Sequence, residues 1–404
     1  MSTTTTTINA PAMSKLELRT AYGPVFRDVL DTPPRDCTAA EIPIVDLSPL
    51  YSPEIDDRKA LAKTIRAAAV NTGFFYIRNH GIPEETIANA KKQLLRFFGQ
   101  TTDAKMKISS AQSRYFNGYK GPRATNISPS ESVDVKETVR KPLTCHFLRD
   151  VKFSNWEMKL GWRYSPQYDP DTKDLNAIPE EVKPWLRGEE FVWEGTAHLP
   201  GFKEEVLAYW AACLTLSRKL VRVFALSLDL AEDYFDSRTT YPGADGTFNY
   251  YPTTTAEEKA NNSVGLGSHT DLQLFTLLWQ DMVGGLQVLN RDGQWIKAVP
   301  VEGTIVVNIG DFMMRLCNDI YISTVHRVYN RATVERVSMP FFFGLNFNCV
   351  EGVVPSCTSA ENPAKYEPIS CGDWCQLRFA LESNEMKKKL ALKAQAPSAT
   401  IVAA

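Results

Sequence analysis

From about Gly246 the apolar residues stop following a helical period and fall into short runs broken by turn residues. TFNYYP, VGLGSHTDL, LFTLLWQ, GGLQVLN, QWIKAVP, GTIVVNIGD, STVHRVYN and SMPFFFGLNF make eight candidate strands, separated by Gly, Asn, Asp and Pro signals such as Arg291-Asp292-Gly293. Eight short antiparallel strands at that spacing favour a jelly roll or a related double sheet.

Three pieces of this stretch carry chemistry. His269 and Asp271 are two apart, so in an extended segment their side chains leave the same face and can converge on one ion. His326 arrives from a distant strand candidate. Two imidazoles and one carboxylate from separated segments form the facial set that suits ferrous iron and leaves coordination positions open. Arg336 and Ser338 are again two apart on one face, and a guanidinium beside a hydroxyl is a carboxylate receptor. The pattern implies an iron oxygenase with a carboxylate-bearing co-substrate.

The chain ahead of this core is of another kind. Residues 1–40, with a threonine run and four prolines, read as a flexible arm. IPIVDLSPL suggests a strand and Asp56–Val70 a helix. GFFYIRN is an apolar strand, and Glu84–Phe98 a helix with Ile87, Ala90, Leu94 and Phe97 on one side. The periodicity of Val206, Trp210, Cys213, Leu214, Leu220, Val221 and Phe224 predicts a long helix from Lys203 to about Leu228 that braces a sheet. Residues 41–240 thus read as a helical region with an irregular insertion at 150–195, and 241–385 as the jelly-roll core with a closing helix. Residues 386–404 read as a flexible tail. Within the least regular stretch, residues 100 to about 200, Tyr115, Phe116 and Tyr119 are candidates for a substrate entrance.

Charge and composition exclude several partners. The 404 residues carry 45 basic and 47 acidic side chains, and no Lys/Arg cluster interleaved with aromatics of the kind a nucleic-acid surface needs. No apolar run approaches the roughly 18 residues that span a membrane, and MSTTTTTINA lacks the order of a signal peptide. A cytoplasmic protein acting on a small molecule is the expectation. Its 8 cysteines lack a CxxC pair and are expected to be reduced thiols. His80, before a glycine at a strand end, reads as a structural hydrogen-bonding residue, and His146 and His198 lack partners at ligand spacing.

IPIVDLSPL, GFFYIRNHGIP, NYYP, HTD, GGLQV, GDFM, STVHRV and RVSMPFFF occur in an order that resembles the iron(II) and 2-oxoglutarate-dependent dioxygenases of the isopenicillin N synthase-like branch. The likeness runs from about Ile42 to Leu381, with 150–195 least typical. It implies a mixed α/β chain whose core is a double-stranded β-helix, the same jelly roll that the strand pattern suggests, braced by helices. It further implies Fe(II) on His269, Asp271 and His326, and the distal carboxylate of 2-oxoglutarate on Arg336 and Ser338. Tyr251 would help hold that carboxylate, Asn249 would lie near the chelating end, and Phe342, which shares strand parity with Arg336, would contact substrate. The implied reaction uses O2, converts 2-oxoglutarate to succinate and carbon dioxide, and oxidises a C–H bond of a small specialised metabolite by hydroxylation, desaturation or cyclisation. An iron oxidase of the same branch that does not use 2-oxoglutarate, and a non-catalytic cupin-like binding module, are the alternatives.

Overall fold

The computed structural model describes residues 12–20, 23–121, 128, 158–253, 265–329 and 332–382. The expected C-terminal tail and His146 lie outside them. The chain opens with the hairpin β1 (Met13–Thr20) and β2 (Gly23–Leu30), followed by β3 (Arg35–Asp36) and β4 (Ile44–Asp46). Helix α1 (Ile55–Asn71) leads into β5 (Phe74–Arg78), then come α2 (Glu84–Phe98), α3 (Thr102–Met106), β6 (Gly118–Lys120) and β7 (Met158–Arg163). Short α4 (Phe191–Gly195) precedes the long α5 (Phe202–Ser227).

All eight strand candidates form. They are β8 (Pro242–Tyr251), β9 (Leu266–His269), β10 (Phe275–Gln280), β11 (Leu286–Leu289), β12 (Trp295–Lys297), β13 (Ile305–Ile309), β14 (His326–Val328) and β15 (Arg336–Asn346). Helix α6 (Asp311–Leu316) lies between β13 and β14, and β16 (Val350–Glu351), β17 (Ile369–Ser370) and α7 (Cys371–Glu382) close the described chain.

Two sheets face each other, one of eight strands in the order β4-β5-β13-β10-β15-β8-β7-β6 and one of five in the order β3-β12-β11-β14-β9. This is the double-stranded β-helix. The strand parity of the large sheet divides its two faces. Phe75, Ile77, Leu277, Val307, Phe341 and Phe343 point outward into the core shared with the helices, whereas Phe74, Tyr76 and Val306 point inward toward Leu286, Val288, Ile296 and Val328 of the small sheet. On the outer face α5 buries Val206, Trp210, Cys213, Leu214, Leu220, Val221 and Phe224, the same stripe that its 3.6-residue period marks. Each fully buried large apolar side chain there contributes roughly 1.5–3 kcal/mol, so the helix fixes the sheet more firmly than its own hydrogen bonds could.

Two features depart from the sequence reading. Residues 13–20 and 23–30 are paired strands rather than a flexible arm, with Leu16, Leu18 and Val29 packed on Leu289, Trp295 and Val325, and β3 joins the small sheet. The division at residue 241 is also not a structural boundary, because β4, β5, β6 and β7 supply both edges of the large sheet. Part of the supposed insertion, MKLGWR, is therefore a sheet strand, β7, beside β8.

Candidate active site

The inner face of the large sheet and the edge of the small one enclose a cavity of about 210 Å3. Strands β9 and β14 pair with His269 directly opposite His326, which brings the ring centroids to 4.3 Å. The turn that delivers His326 is held against the start of β5, where Thr324 donates to the Thr72 carbonyl. Gly73 lies in that contact at φ 68°, and a Cβ there would sit 2.0 Å from the Ile322 carbonyl oxygen. Only glycine fits.

Each imidazole uses Nδ1 on a backbone carbonyl, His269 on Gly267 at 2.8 Å and His326 on Thr324 at 3.1 Å. With the proton on Nδ1, both Nε2 lone pairs are left for a metal. Both Nε2 atoms lie 3.8 Å from Asp271 Oδ1. The other carboxylate oxygen, Oδ2, accepts from Thr276 Oγ1 at 2.6 Å and Asn308 Nδ2 at 2.7 Å. One oxygen is thus fixed by the protein and one is presented with the histidines. The donor set fits a divalent iron that keeps open positions, and among the described residues it is the one cluster of three such groups with metal-binding geometry.

Burial, reinforced by the facing His326, depresses the His269 imidazole below its ordinary value. Burial alone would raise the Asp271 carboxyl, but the two histidines and the donors from Thr276 and Asn308 hold it below the usual carboxylate range. His269 is therefore neutral and Asp271 charged near neutrality, as metal ligands must be. A histidine that refuses a proton when folded makes the unfolded state the better proton acceptor, so stability falls as pH drops through the unfolded histidine value of about 6.5. The metal-free protein should melt at a lower temperature at pH 5.5 than at pH 7.5, as thermal melts at the two pH values will test. Thr276→Val and Asn308→Ala should each weaken iron binding by about 10–100-fold, measured by competition with a chromophoric chelator.

Beyond the triad, Arg336 is fully buried. Its Nη1 donates to Ser338 Oγ at 3.4 Å and its Nη2 to Gln280 Oε1 at 3.2 Å, while among the described residues Nε has no partner and no carboxylate pairs with the guanidinium. Its guanidinium lies 4.8 Å from the centroid of Tyr251, which is directly across β8 from it. Asn249, opposite Ser338, donates to the Ser338 hydroxyl at 3.4 Å and leaves its own Oδ1 buried without a partner. Gly285, at φ 106°, lets β11 pass this corner, since a Cβ would come 2.6 Å from the Tyr329 carbonyl and 3.6 Å from the Arg336 side chain. A buried cation without a counter-ion, among under-filled polar groups, is a receptor for an anion.

The structure thus brings His269, Asp271, His326, Arg336, Ser338, Tyr251, Asn249 and Phe342 to one cavity. Tyr115, Phe116 and Tyr119, expected at a substrate entrance, are not among the residues that line the cavity. Tyr119 packs outward on Phe97 and Phe98 because its neighbour Lys120 takes the inward parity, Phe116 lies under the Lys120 ammonium, and Tyr115 supplies a carbonyl to Arg163 Nε. His80 accepts from the Ile82 amide, the structural role expected of it, and His198 meets Gln100. The seven described cysteines are free thiols. Thr276, Asn308, Gln280, Asp245, Arg163 and Lys159 were not foreseen; for Asp245 the signal was available, since it shares the β8 parity of Asn249 and Tyr251.

Residues 247–345 match the 2OG-Fe(II) oxygenase superfamily, and residues 42–145 match the non-haem dioxygenase in morphine synthesis N-terminal family. The chain is 42% identical to the 2-oxoglutarate-Fe(II) type oxidoreductase ppzC of Metarhizium rileyi, over 94% of this chain and 97% of the relative. It is 32% identical to the 2-oxoglutarate-Fe(II) type oxidoreductase hxnY of Emericella nidulans, over 88% and 95%. Full-length Neurospora crassa T7H, solved with alpha-KG and thymine, superposes with a TM-score of 0.67 at 26% identity, covering 85% of this chain and 97% of that one. Fold, donor set and relatives agree that the chain belongs to the 2OG-Fe(II) oxygenase superfamily and is an oxidoreductase that uses Fe(II) and 2-oxoglutarate.

Proposed function

We propose that the protein couples oxidative decarboxylation of 2-oxoglutarate to oxidation of a C–H bond in a small specialised metabolite. The observation that carries this reading is the buried, counter-ion-free Arg336 in the same cavity as the His269–Asp271–His326 cluster. His269 Nε2, Asp271 Oδ1 and His326 Nε2 would hold Fe(II), which with 2-oxoglutarate and O2 supplies the oxidising power for the C–H step. Arg336 and Ser338 bind the distal carboxylate of 2-oxoglutarate, with Tyr251 against the guanidinium face. Asn249 offers its orphan oxygen and its amide near the chelating end. Thr276 and Asn308 act on Asp271 and restrict it to one ligating oxygen, which preserves a position for the co-substrate. Phe342 walls the substrate side.

The relatives support a small molecule as substrate, since T7H was solved with thymine. Among the described residues no helix is long and apolar enough to cross a membrane. Incubating the protein with Fe(II), ascorbate and 2-oxoglutarate should release succinate, faster once a substrate is present. Absence of both succinate and 2-oxoglutarate binding, with candidate substrates supplied, would instead favour the oxidase that does not use 2-oxoglutarate.

A further inference from the structure

One rung of side chains crosses the inner face of the large sheet in register. It runs Asn308 (β13), Thr276 (β10), Phe342 (β15), Asp245 (β8), Arg163 (β7), each directly opposite the next. The first two members hold the Asp271 carboxylate. The last two lie past Phe342, and their partners, Tyr115, Asn117 and Gln273, are none of the residues assigned above to the metal or to 2-oxoglutarate. Arg163 Nη1 meets Asp245 Oδ2 at 2.8 Å, with side chains only 14% and 8% exposed, and both residues line the cavity.

The pair is incompletely used. Arg163 Nε donates to the Tyr115 carbonyl at 3.1 Å and Nη1 is taken by Asp245, but Nη2 makes no hydrogen bond among the described residues. Asp245 Oδ2 accepts a second bond from Gln273 Nε2 at 3.1 Å, whereas Oδ1 is buried with no partner. A donor and an acceptor therefore stand side by side unfilled. If the pair only stapled β7 to β8, apolar residues of similar volume would do so at least as well, without leaving a buried acceptor unmade.

We propose that Arg163 and Asp245 are the substrate-recognition edge of the cavity, and that the edge takes a neutral group presenting a carbonyl next to an N–H, as in an amide, a lactam or a ureide. This rests on the oxygenase reading above and adds the substrate class to it. The carbonyl accepts from Arg163 and the N–H donates to Asp245. A carboxylate would meet repulsion from Asp245, and an ammonium repulsion from Arg163. Adjacent strands are about 4.8 Å apart, so Asp245 is roughly 10 Å of sheet from Thr276 and the metal carboxylate it holds. A molecule of one or two rings, lying on Phe342, spans that distance and brings its far end to the metal. Burial raises the Asp245 carboxyl above its ordinary value against the pull of Arg163 and Arg187, consistent with an under-paired acceptor.

The test uses three probes of one shape, benzamide, benzoate and benzylamine, titrated calorimetrically into anaerobic protein loaded with Fe(II) and saturating 2-oxoglutarate. Benzamide should bind about tenfold or more tightly than either ion, and Asp245→Asn and Arg163→Gln should each erase that preference. Tighter binding of benzoate or benzylamine, no binding of any probe, or an unchanged preference in correctly loaded variants would overturn the proposal. The wild-type ranking stands without the variants, should they fold poorly. Normal uptake of 2-oxoglutarate with no amide preference would sink the edge alone, whereas failure to take up 2-oxoglutarate would sink the oxygenase reading and the edge with it.

Discussion

Arg336→Met is expected to weaken 2-oxoglutarate binding by about 10²–10³-fold while raising the melting temperature of the ligand-free protein. The first effect follows from removing one partner of a buried charge-assisted pair, which costs about 2–5 kcal/mol in comparable interfaces. The second follows from the free state. Without co-substrate the guanidinium is buried with two long hydrogen bonds and no carboxylate, a desolvated charge that the fold tolerates at a loss. Methionine has similar reach and no charge to desolvate, so the substitution should stabilise the ligand-free chain by about 1–3 kcal/mol, less whatever Gln280 and Ser338 lose in partners. Calorimetric titration and thermal melts with and without 2-oxoglutarate check both signs. The wild type should gain far more stability from the co-substrate than the variant does. An unchanged affinity would remove Arg336 from the receptor, and a lowered melting temperature would mean that the guanidinium is structural.

Asp271→Ala is the second large effect. It deletes the single anionic ligand of the triad, and it leaves Thr276 Oγ1 and Asn308 Nδ2 as buried donors with nothing to donate to. Each stranded donor should cost about 1–3 kcal/mol of stability. Loss of the charge should cost the metal about 3–5 kcal/mol of affinity, enough to leave the purified protein without iron and its turnover at background. Iron content after gel filtration and the rate of succinate release read the two consequences separately. The ordering is itself informative, because Asn308→Ala removes only a support and should fall well short of Asp271→Ala. Equal losses in both would mean that Asn308 is a ligand.

The residues that could be read from the chain are those whose relation is short in sequence. Arg336 and Ser338 sit two apart on β15, and His269, the last residue of β9, is two ahead of Asp271, spacings so short that each pair is visible before any tertiary structure is known. Thr276, Asn308 and Arg163 belong to the same site through strand register, and register between β10, β13, β15, β8 and β7 is set by the assembled sheet. Nothing local marks Thr276 as the residue that will reach Asp271.

The aromatic triplet stands outside the cavity lining for a related reason. Tyr119 is one residue from the cavity-lining Lys120, and on a strand one residue is the difference between the cavity and the helix layer. The N-terminal hairpin was illegible because its strands are mostly exposed, and just three of its apolar residues are buried against the small sheet. Its pairing comes from backbone hydrogen bonds and that small contact, neither of which prints a strong alternation on MSKLELRT. By contrast α5 was legible almost to the residue, since it buries one long stripe.

The decisive measurement is anaerobic calorimetric titration of 2-oxoglutarate into the protein with and without one equivalent of Fe(II), repeated on His326→Ala. One cavity that holds iron on His269, Asp271 and His326 beside Arg336 requires a single binding event of 1:1 stoichiometry, tight with iron and much weaker without it. His326→Ala should behave as the iron-free protein does. Equal affinity with and without iron, or iron-dependent binding that survives His326→Ala, would contradict a shared site for the metal and the co-substrate.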